Sequence, residues 1–415
     1  MSKKLLIISY FFNSSKNIGG RRWSKFSKYL FKKNVDLKVI TSTSCEDIEY
    51  EKDLIKIKDK IDFVNFKYPK YLGINPSNFI EKILYRLNLI FSKLTTNKNY
   101  YDKSVHGKTN LIKKVEFYIN MGYNNVVVTI APFHLATYIS ELIIKYPEVN
   151  FIVDFRDPWV NNRTSYGYNS LSKRRRQIED YSEKKVIESY NNVVTVSSYM
   201  TKSLKERYSN SNAVFSTIPN GFDGDDYLKY LNITDNSHSS EIKLVFSGTF
   251  YNSAEKYLTL IDKWLYEIKV FNYKLYNLIT IDFFGNMVIQ HEIFENHNFI
   301  NFHGFKNKTV VYDLVQKSDA CLLFLTDDIN YSFSTKFCDY IALKKPILVF
   351  SKKGITSDYI IKNKIGHSLS ENSSAKTFVK YLDSFKNNPS KYYHNYSFEN
   401  FDLEYLTHEY LNILI

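Results

Sequence analysis

The chain has 415 residues, of which 44% are hydrophobic and 24% are charged, a balance that excludes an intrinsically disordered protein. A single core rarely grows beyond ~250–300 residues, so the length predicts two domains. The net charge of +13 is unevenly distributed along the chain, because residues 1–200 contain 33 Lys and Arg but only 19 Asp and Glu. This basic half is predicted to face an anionic partner, either membrane lipid, nucleic acid or a phosphorylated substrate; the alternative is a solvated basic face.

The beginning of the chain resembles a secretion signal, since Lys3 and Lys4 precede an apolar run. A polar segment follows at 13–16 without a small-residue cleavage site, which favours a first β-strand. The uncharged stretch 117–140 is long enough to span a membrane, but Pro132 and its polar neighbours indicate a strand, a loop and a helix instead. No transmembrane segment is predicted.

Short β-branched runs alternate with longer amphipathic runs, as in parallel sheets covered by helices. In the first half, strands are predicted at 4–10, 35–41, 61–67, 125–130, 150–155 and 193–196, and helices at 20–33, 78–94, 109–120, 134–146, 172–190 and 199–208. A second series of strands is predicted at 243–248, 280–284, 299–302, 320–325 and 346–350. The polar segment 232–240 between the two series is predicted to be a linker.

The fold class is therefore α/β, with two doubly wound, Rossmann-like domains facing each other across a cleft. Domains are placed at 1–231 and 241–397, with a C-terminal helix at about 398–415 that packs back on the first. Ligands in such folds sit at the carboxyl ends of the strands. The chain has three cysteines, which are too few and too scattered for a disulfide framework or a zinc site. We expect no metal and no other cofactor.

Two motifs of the first half lie where strands are predicted to end. Gly19-Gly20 precedes Arg21-Arg22, which opens a helix whose N-terminal N–H groups suit an anion. A plain turn is the alternative. Asp154-Phe155-Arg156-Asp157-Pro158-Trp159 follows a strand directly and brings two carboxylates and an arginine to a site edge. The alternative is an ion network that supports its own loop.

The second half contains a Ser-Thr-Lys motif at the start of a predicted helix. Ser334, Thr335 and Lys336 combine hydroxyl donors, a point charge and a helix N-terminus, which suits a diphosphate. Asp339 lies one turn later, where its carboxylate could accept hydrogen bonds from ribose hydroxyls. A capped helix with a solvated lysine is the alternative.

The order of the motifs resembles glycosyltransferases of the GT-B fold, in particular the retaining enzymes of family four that often build bacterial surface polysaccharides. The resemblance rests on Gly-Gly-Arg, Asp-Phe-Arg-Asp-Pro-Trp, Ile218-Pro219-Asn220-Gly221-Phe222-Asp223, Phe246-Ser247-Gly248-Thr249, His303-Gly304-Phe305 and Ser-Thr-Lys-Phe-x-Asp-Tyr-Ile-Ala. It covers most of the chain, and it implies an acceptor-side first domain and a nucleotide-sugar-binding second domain.

The resemblance also implies roles for single residues. Lys336 and His134 are the implied catalytic residues, the first at the donor diphosphate and the second beside the donor sugar. Asp339 is expected to hold the ribose. The implied donor-binding residues are Gly20, Arg22, Gly248, Thr249, His303, Gly304, Phe305, Ser334, Thr335, Lys336 and Asp339; Arg156 and Asp157 are expected to line the site or contact the acceptor.

Three positions depart from the family pattern. The first glutamate of the family's paired-glutamate motif is replaced by Tyr331, which affects contacts to the donor sugar. Thr249 stands where an arginine often follows the glycine, and Lys256 is a weak substitute for the lysine that usually comes next. The position of His134 also fits a structural histidine at the start of its helix.

An apolar stripe at helical spacing runs from Phe79 to Leu94, with Lys82, Arg86 and Lys93 beside it. Such a helix suits the interface of an anionic membrane. The alternative is that the stripe packs on its own sheet.

Together these features predict a hexosyltransferase-type glycosyltransferase that uses a nucleoside-diphosphate sugar and a lipid-linked or polysaccharide acceptor, as in capsule or lipopolysaccharide synthesis. We expect a cytoplasmic protein, peripheral on the inner face of the plasma membrane, that contacts anionic lipid through its basic half and binds no nucleic acid. The alternatives are a nucleotide-sugar epimerase of the same architecture and a basic nucleic-acid-binding protein.

Overall fold

The computed structural model describes residues 2–12, 18–42, 54–66, 68–72, 76–96, 102–160, 168, 171–230, 240–250, 252–285, 292–327, 331–393 and 399–415. The chain divides into two compact units. Unit 1 comprises Met1–Ile218 together with Leu403–Ile415, and unit 2 comprises Pro219–Asp402.

Unit 1 is built on a seven-stranded, all-parallel sheet. Its strands are β1 (Lys4–Ser9), β2 (Asp36–Ser42), β3 (Ile61–Val64), β4 (Asn125–Ile130), β5 (Asn150–Phe155), β6 (Asn192–Thr195) and β7 (Val214–Thr217). They lie in the order β3-β2-β1-β4-β5-β6-β7. Every residue of β4 and β5 is buried, as expected for parallel strands covered on both faces.

Seven longer helices belong to the described part of unit 1. They are α1 (Arg21–Lys32), α2 (Phe79–Thr95), α3 (Lys108–Asn120), α4 (His134–Lys145), α5 (Lys173–Ser189), α6 (Ser198–Arg207) and α14 (Leu403–Ile413). The last returns from the far end of the chain and packs on α1, where Trp23 and Phe26 meet Tyr410 edge-on with ring centroids 4.8 Å apart.

Unit 2 repeats the plan with six parallel strands. These are β8 (Ile242–Ser247), β9 (Ile279–Phe284), β10 (Ile300–Phe302), β11 (Ala320–Phe324), β12 (Ile347–Phe350) and β13 (Gly366–Leu369), in the order β10-β9-β8-β11-β12-β13. The helices are α7 (Glu255–Phe271), α8 (Tyr273–Tyr276), α9 (Lys308–Gln316), α10 (Thr335–Ala342), α11 (Ile355–Lys362), α12 (Ala375–Asn387) and α13 (Ser390–Tyr393). Apolar clusters cover the two faces of the sheet.

The boundary between the units lies earlier than the sequence pattern predicts. Residues 219–230 belong to unit 2 rather than to the first domain, because Phe222, Tyr227 and Tyr230 are buried in the core of unit 2. Phe222 also forms a parallel bridge with Asp402. The linker predicted at 232–240 lies outside the described residues apart from Ser240.

The pattern predicted neither β7 nor β13, and the reason is clear for β13. Its sequence, Gly-His-Ser-Leu, lacks a β-branched run and reads locally as a loop. It pairs in parallel with β12, where Ile347 faces Gly366, and a Cβ on that glycine would lie 1.9 Å from the Ile347 carbonyl oxygen. The close approach of two backbones therefore fixes the glycine.

Candidate functional site

Three glycines follow neighbouring strands of unit 2, at the carboxyl ends of those strands. Gly248, Gly285 and Gly304 follow β8, β9 and β10, and their φ angles are +122°, +114° and +65°. The Gly248 N–H donates to Phe284 O at 2.8 Å, and the Gly285 N–H donates to Gly304 O at 2.8 Å. A Cβ on Gly285 would lie 2.3 Å from the Gly248 carbonyl oxygen. Only glycine fits the first two positions, and we call this edge the glycine shelf.

Lys336 lies across the first glycine of the shelf. It is the second residue of α10, whose N-terminus is capped by Ser334 Oγ, which accepts from the Phe337 N–H at 3.2 Å. The Lys336 Nζ donates to Thr249 O at 2.6 Å, and a Cβ on Gly248 would lie 2.2 Å from Lys336 Cε. Burial lowers the pKa of Lys336 to about 8. The ammonium group of Lys336 and the N-terminus of α10 therefore lie beside the backbone of Gly248. Positive charge and free N–H groups together favour the binding of an anion.

Asp339 is held on the same helix by a pair of tyrosines. Tyr227 OH donates to Asp339 Oδ1 and lies 2.8 Å from Tyr312 OH, with the two tyrosine rings stacked at 5.0 Å. Tyr227 could not be predicted from the sequence, because it lies 112 residues from Asp339 and no motif marks it. Its role is to fix the orientation of a carboxylate that was predicted to bind ribose.

Aromatic residues flank Gly304, the third glycine of the glycine shelf. His303 stacks on Phe284 with ring centroids 4.5 Å apart and 7° between the planes. Its Nε2 donates to Asp282 Oδ1 at 2.7 Å, which fixes the ring and its tautomer. Phe305 is 89% exposed on the far side of Gly304. A flat ring system beside an exposed aromatic side chain suits a nucleobase.

Lys256 is engaged by acidic partners rather than turned to the shelf. Its Nζ lies 2.6 Å from Glu371 Oε1 and 3.4 Å from Asp327 Oδ2. Lys352 contacts the same Asp327 oxygen at 2.7 Å. Tyr331, which stands for the family's first glutamate, is buried. Within the described ranges, no group of three or more His, Cys, Asp or Glu side chains is arranged to hold a metal ion.

In unit 1, Arg22 takes part in a buried ion-pair network, and its predicted contact with the donor stays a prediction. Its guanidinium is buried and donates to Asp154 through Nε and Nη2, both at 3.1 Å, and to Ile218 O at 2.7 Å. The same carboxylate accepts from Trp23 Nε1 at 2.7 Å and from Tyr410 OH at 2.8 Å. Burial opposes the charge, but Asp154 outweighs it, so the pKa of Arg22 is raised.

Arg156 braces the turn that carries the glycine pair. Its Nη1 donates to Gly19 O, and its Nε donates to Ile130 O at 3.3 Å. Gly20 caps α1 with a φ of −83°, a conformation open to any residue. Asp157 is half-buried in the loop after β5. Asp154 and Arg156 of the Asp-Phe-Arg-Asp-Pro-Trp motif thus hold in place the loops that follow the strands of unit 1.

His134 is buried in an ion-pair network, which favours the structural alternative, while its catalytic role stays a prediction. It begins α4, its ring is 3% exposed, and its Nε2 donates to Glu179 Oε2 at 2.9 Å. Trp159 Nε1 donates to the same oxygen at 2.7 Å, and Arg175 Nε donates to Glu179 Oε1 at 2.7 Å. Burial alone would lower the pKa of His134, but Glu179 and Asp102 raise it. The residue anchors α4 to α5.

The structure therefore divides the predicted set between the two units. Unit 2 brings together, along one sheet edge, the residues Gly248, Thr249, His303, Gly304, Phe305, Ser334, Thr335, Lys336 and Asp339. Gly20, Arg22, His134, Arg156 and Asp157 belong to unit 1. Among these, Arg22 and His134 are buried ion-pair partners.

No protein-family model matches the sequence, and no curated protein matches it significantly. Solved structures do match. Sucrose-phosphate synthase from Thermosynechococcus elongatus has a TM-score of 0.62 at 12% identity, over 99% of this chain and 98% of its own. WaaG, a glycosyltransferase involved in lipopolysaccharide biosynthesis, has a TM-score of 0.58 at 13% identity, over 99% of both chains. A trehalose-6-phosphate protein from E. coli bound with UDP-2-fluoro glucose has 0.63 at 9% identity, over 99% of this chain and 98% of its own.

These similarities extend over both units and establish the fold. The chain has two parallel sheets of seven and six strands flanked by helices, which is the fold of the GT-B glycosyltransferases that it matches. The fold class predicted from the motif order is confirmed.

Proposed function

We propose that this protein transfers a sugar from a nucleoside-diphosphate sugar to a membrane-associated glycan or glycolipid, with retention, in the synthesis of a bacterial surface polysaccharide. The observation that carries the proposal is Lys336, whose ammonium lies at the N-terminus of α10 beside the glycine shelf. The matched glycosyltransferases, among them one involved in lipopolysaccharide biosynthesis, support the reaction class. Unit 1, with its basic residues, is assigned to the acceptor and to the inner face of the plasma membrane.

The shelf suits a nucleoside diphosphate in three parts. The diphosphate is assigned to Lys336, the α10 N-terminus and the backbone at Gly248, because a side chain there would keep phosphate away. The ribose is assigned to Asp339, whose carboxylate Tyr227 orients. The base is assigned to the His303 to Phe305 segment. Serine and threonine hydroxyls at 334 and 335 supply further donors.

The proposed chemistry needs no protein nucleophile. The acceptor oxygen bonds to the anomeric carbon on the face from which the diphosphate leaves, and the bond from that carbon to the diphosphate oxygen breaks. The acceptor proton passes to the departing diphosphate. Negative charge grows on the leaving group, so the preorganised charge of Lys336 stabilises the transition state. No step of this scheme is assigned to His134, whose catalytic role stays a prediction.

A thermal-shift series tests the donor site. Nucleoside diphosphates at about 100 times Kd should raise the wild-type midpoint by roughly 5 °C or more without added metal. Lys336→Met should abolish the shift, because it keeps the chain length and removes the charge. Gly248→Ala should also abolish it, since its Cβ displaces Lys336.

The matched control for Gly248→Ala is Gly122→Ala. Gly122 also has a positive φ of +88°, but its Cβ would meet only Lys4 Nζ at 3.5 Å. It should lower stability and keep the ligand shift. A Lys336→Met protein that retains the full shift would refute the donor site. Conversion of a nucleotide-sugar to its epimer without acceptor would favour an epimerase instead.

A further inference from the structure

Helix α2 turns its apolar side away from the body of unit 1. Seven large apolar side chains are between 42% and 79% exposed: Phe79, Ile80, Ile83, Leu87, Ile90, Phe91 and Leu94. At 100° per residue they fill one continuous arc of about 120° on the helix. The alternative that this stripe packs on its own sheet is therefore wrong. An outward apolar arc of this size marks an interaction surface.

The inward side of α2 is the more polar one. Ser92 is fully buried, and Tyr85 and Asn88 on the same side are half-buried. Within the described part of unit 1, the main neighbour of α2 is the short turn Lys70–Leu72. A surface helix normally buries its apolar stripe and exposes its polar face. The reversed arrangement means that the fold itself does not account for the seven apolar residues.

Cationic side chains border the apolar arc on one side. Lys82, Arg86 and Lys93 are exposed and lie within about 60° of the arc's edge at helical spacing. The one acidic residue of the helix, Glu81, is held on the opposite side, where its Oε2 accepts from the Ser77 N–H at 2.7 Å. Among the residues of α2 itself, the outward surface therefore pairs an apolar arc with three positive charges, while the acidic residue of the helix lies away from both.

We propose that α2 lies in the interface of an anionic lipid bilayer, with the apolar arc among the acyl chains and the three cations at the level of the phosphate headgroups. Charge complementarity favours an anionic bilayer over a second copy of the chain. Lys82, Arg86 and Lys93 would repel the same edge of a second copy, whereas they attract anionic lipid, and a bilayer accepts a continuous apolar arc without a matching groove.

The inference adds a membrane-docking element to the proposed function, and its test measures binding without catalysis. Failure of vesicle binding would leave the donor site of unit 2 intact, and failure of the donor site would leave vesicle binding intact.

The experiment is co-sedimentation of the full chain with vesicles of neutral phosphatidylcholine and with vesicles that also contain phosphatidylglycerol. Wild-type protein should bind the anionic vesicles at low salt, and binding should weaken as salt is added. The triple variant Lys82→Gln, Arg86→Gln, Lys93→Gln should bind about 100-fold more weakly, at about fivefold per charge. The double variant Leu87→Asn, Phe91→Asn should lose at least tenfold, on the order expected for two apolar side chains.

Matched controls come from exposed residues elsewhere. Lys263→Gln, Lys306→Gln, Lys376→Gln removes three exposed charges from unit 2, and Ile144→Asn changes an 88% exposed side chain on α4. Both should bind anionic vesicles like wild type. All altered positions are exposed, so thermal midpoints should not change.

Three outcomes would overturn the inference. The first is wild-type protein that stays in solution with anionic vesicles at low salt. The second is a pair of α2 variants that bind as well as the controls. The third is a concentration-dependent dimer, seen by sedimentation velocity and abolished by Leu87→Asn, Phe91→Asn, which would assign the apolar arc to a second copy.

Discussion

Burial of Lys336 changes the pKa of its ammonium group, which affects both the stability of the fold and the proposed binding of a diphosphate. Burial lowers its pKa to about 8 from an ordinary value of 10.5, so the folded protein holds its ammonium less firmly than the unfolded chain does. The folded state is therefore disfavoured by this charge below about pH 8, and that penalty disappears as the pH rises from about 8 towards 10.5.

The first prediction concerns the pH dependence of donor binding. Because the charged form of Lys336 attracts a diphosphate, the affinity for nucleoside diphosphates should fall as the pH rises through about 8. Titration calorimetry at a series of pH values measures it. Lys336→Met should bind weakly with no such inflection. An identical profile in this variant would show that another group titrates.

The second prediction concerns Arg22, which supports unit 1 from within. Arg22→Met leaves the Asp154 carboxylate buried, with Trp23 and Tyr410 as its remaining side-chain donors among the described residues. Removing one partner of a buried ion pair usually lowers the free energy of unfolding by about 3–5 kcal/mol. Urea denaturation measures the loss. Near-wild-type stability with loss of nucleotide binding would instead support the donor role predicted for Arg22.

At the scale of elements, an asparagine ladder fixes α14 to the sheet of unit 1. Asn125, Asn150 and Asn192 start β4, β5 and β6, and their side chains are linked at 3.0 and 2.8 Å. Asn150 Nδ2 donates to Ile413 O at 2.9 Å, and Asn125 Oδ1 accepts from the Ile415 N–H at 2.9 Å. Polar side chains at the amino ends of three strands thus bind the backbone of the returning segment.

The third prediction follows from the middle member of this ladder. Asn150→Ala removes bonds to both neighbours and to Ile413, so buried polar groups lose their partners. The free energy of unfolding should fall by about 1–3 kcal/mol, and amide exchange should speed up first in α14. Asn210→Ala, at an exposed turn, should stay within about 0.5 kcal/mol of wild type. Equal effects of the two changes would refute the ladder.

At the scale of the whole molecule, the assignment of the donor diphosphate to unit 2 bears on whether sugar transfer requires a metal ion. In the proposed reaction the charge on the leaving diphosphate is met by Lys336 and the N-terminus of α10, so we predict that transfer by this chain needs no divalent cation. The described residues also contain no helix that is long and apolar enough to cross a bilayer.

The fourth prediction is that transfer activity survives chelation. Radiolabelled or fluorescent acceptor assays with EDTA should give the same rate as assays with magnesium, within about twofold, because no step is assigned to a metal. Addition of magnesium after EDTA serves as the control. A loss of activity of tenfold or more that magnesium restores would contradict this part of the proposal.

Much of the fold follows from local patterns. The continuous apolar runs of β4 and β5 predicted strands within the observed bounds because such strands are covered on both faces. The amphipathic runs predicted α1, α2 and α5 to within two residues. The sequence also placed Lys336 and Asp339 near the start of one helix, because the capping serine and the spacing mark where that helix begins.

Other features depended on which distant surfaces meet. Periodicity predicted α2 as a helix, but only the tertiary structure decided that its apolar side faces outward. The inward turn of Arg22 depends on Asp154 and Tyr410, which lie 132 and 388 residues away. The orientation of Asp339 by Tyr227, and the placement of residues 219–230 in unit 2, depend likewise on long-range packing. Local sequence determines an element and its amphipathic period, whereas the direction in which a side chain points depends on the surfaces packed against that element.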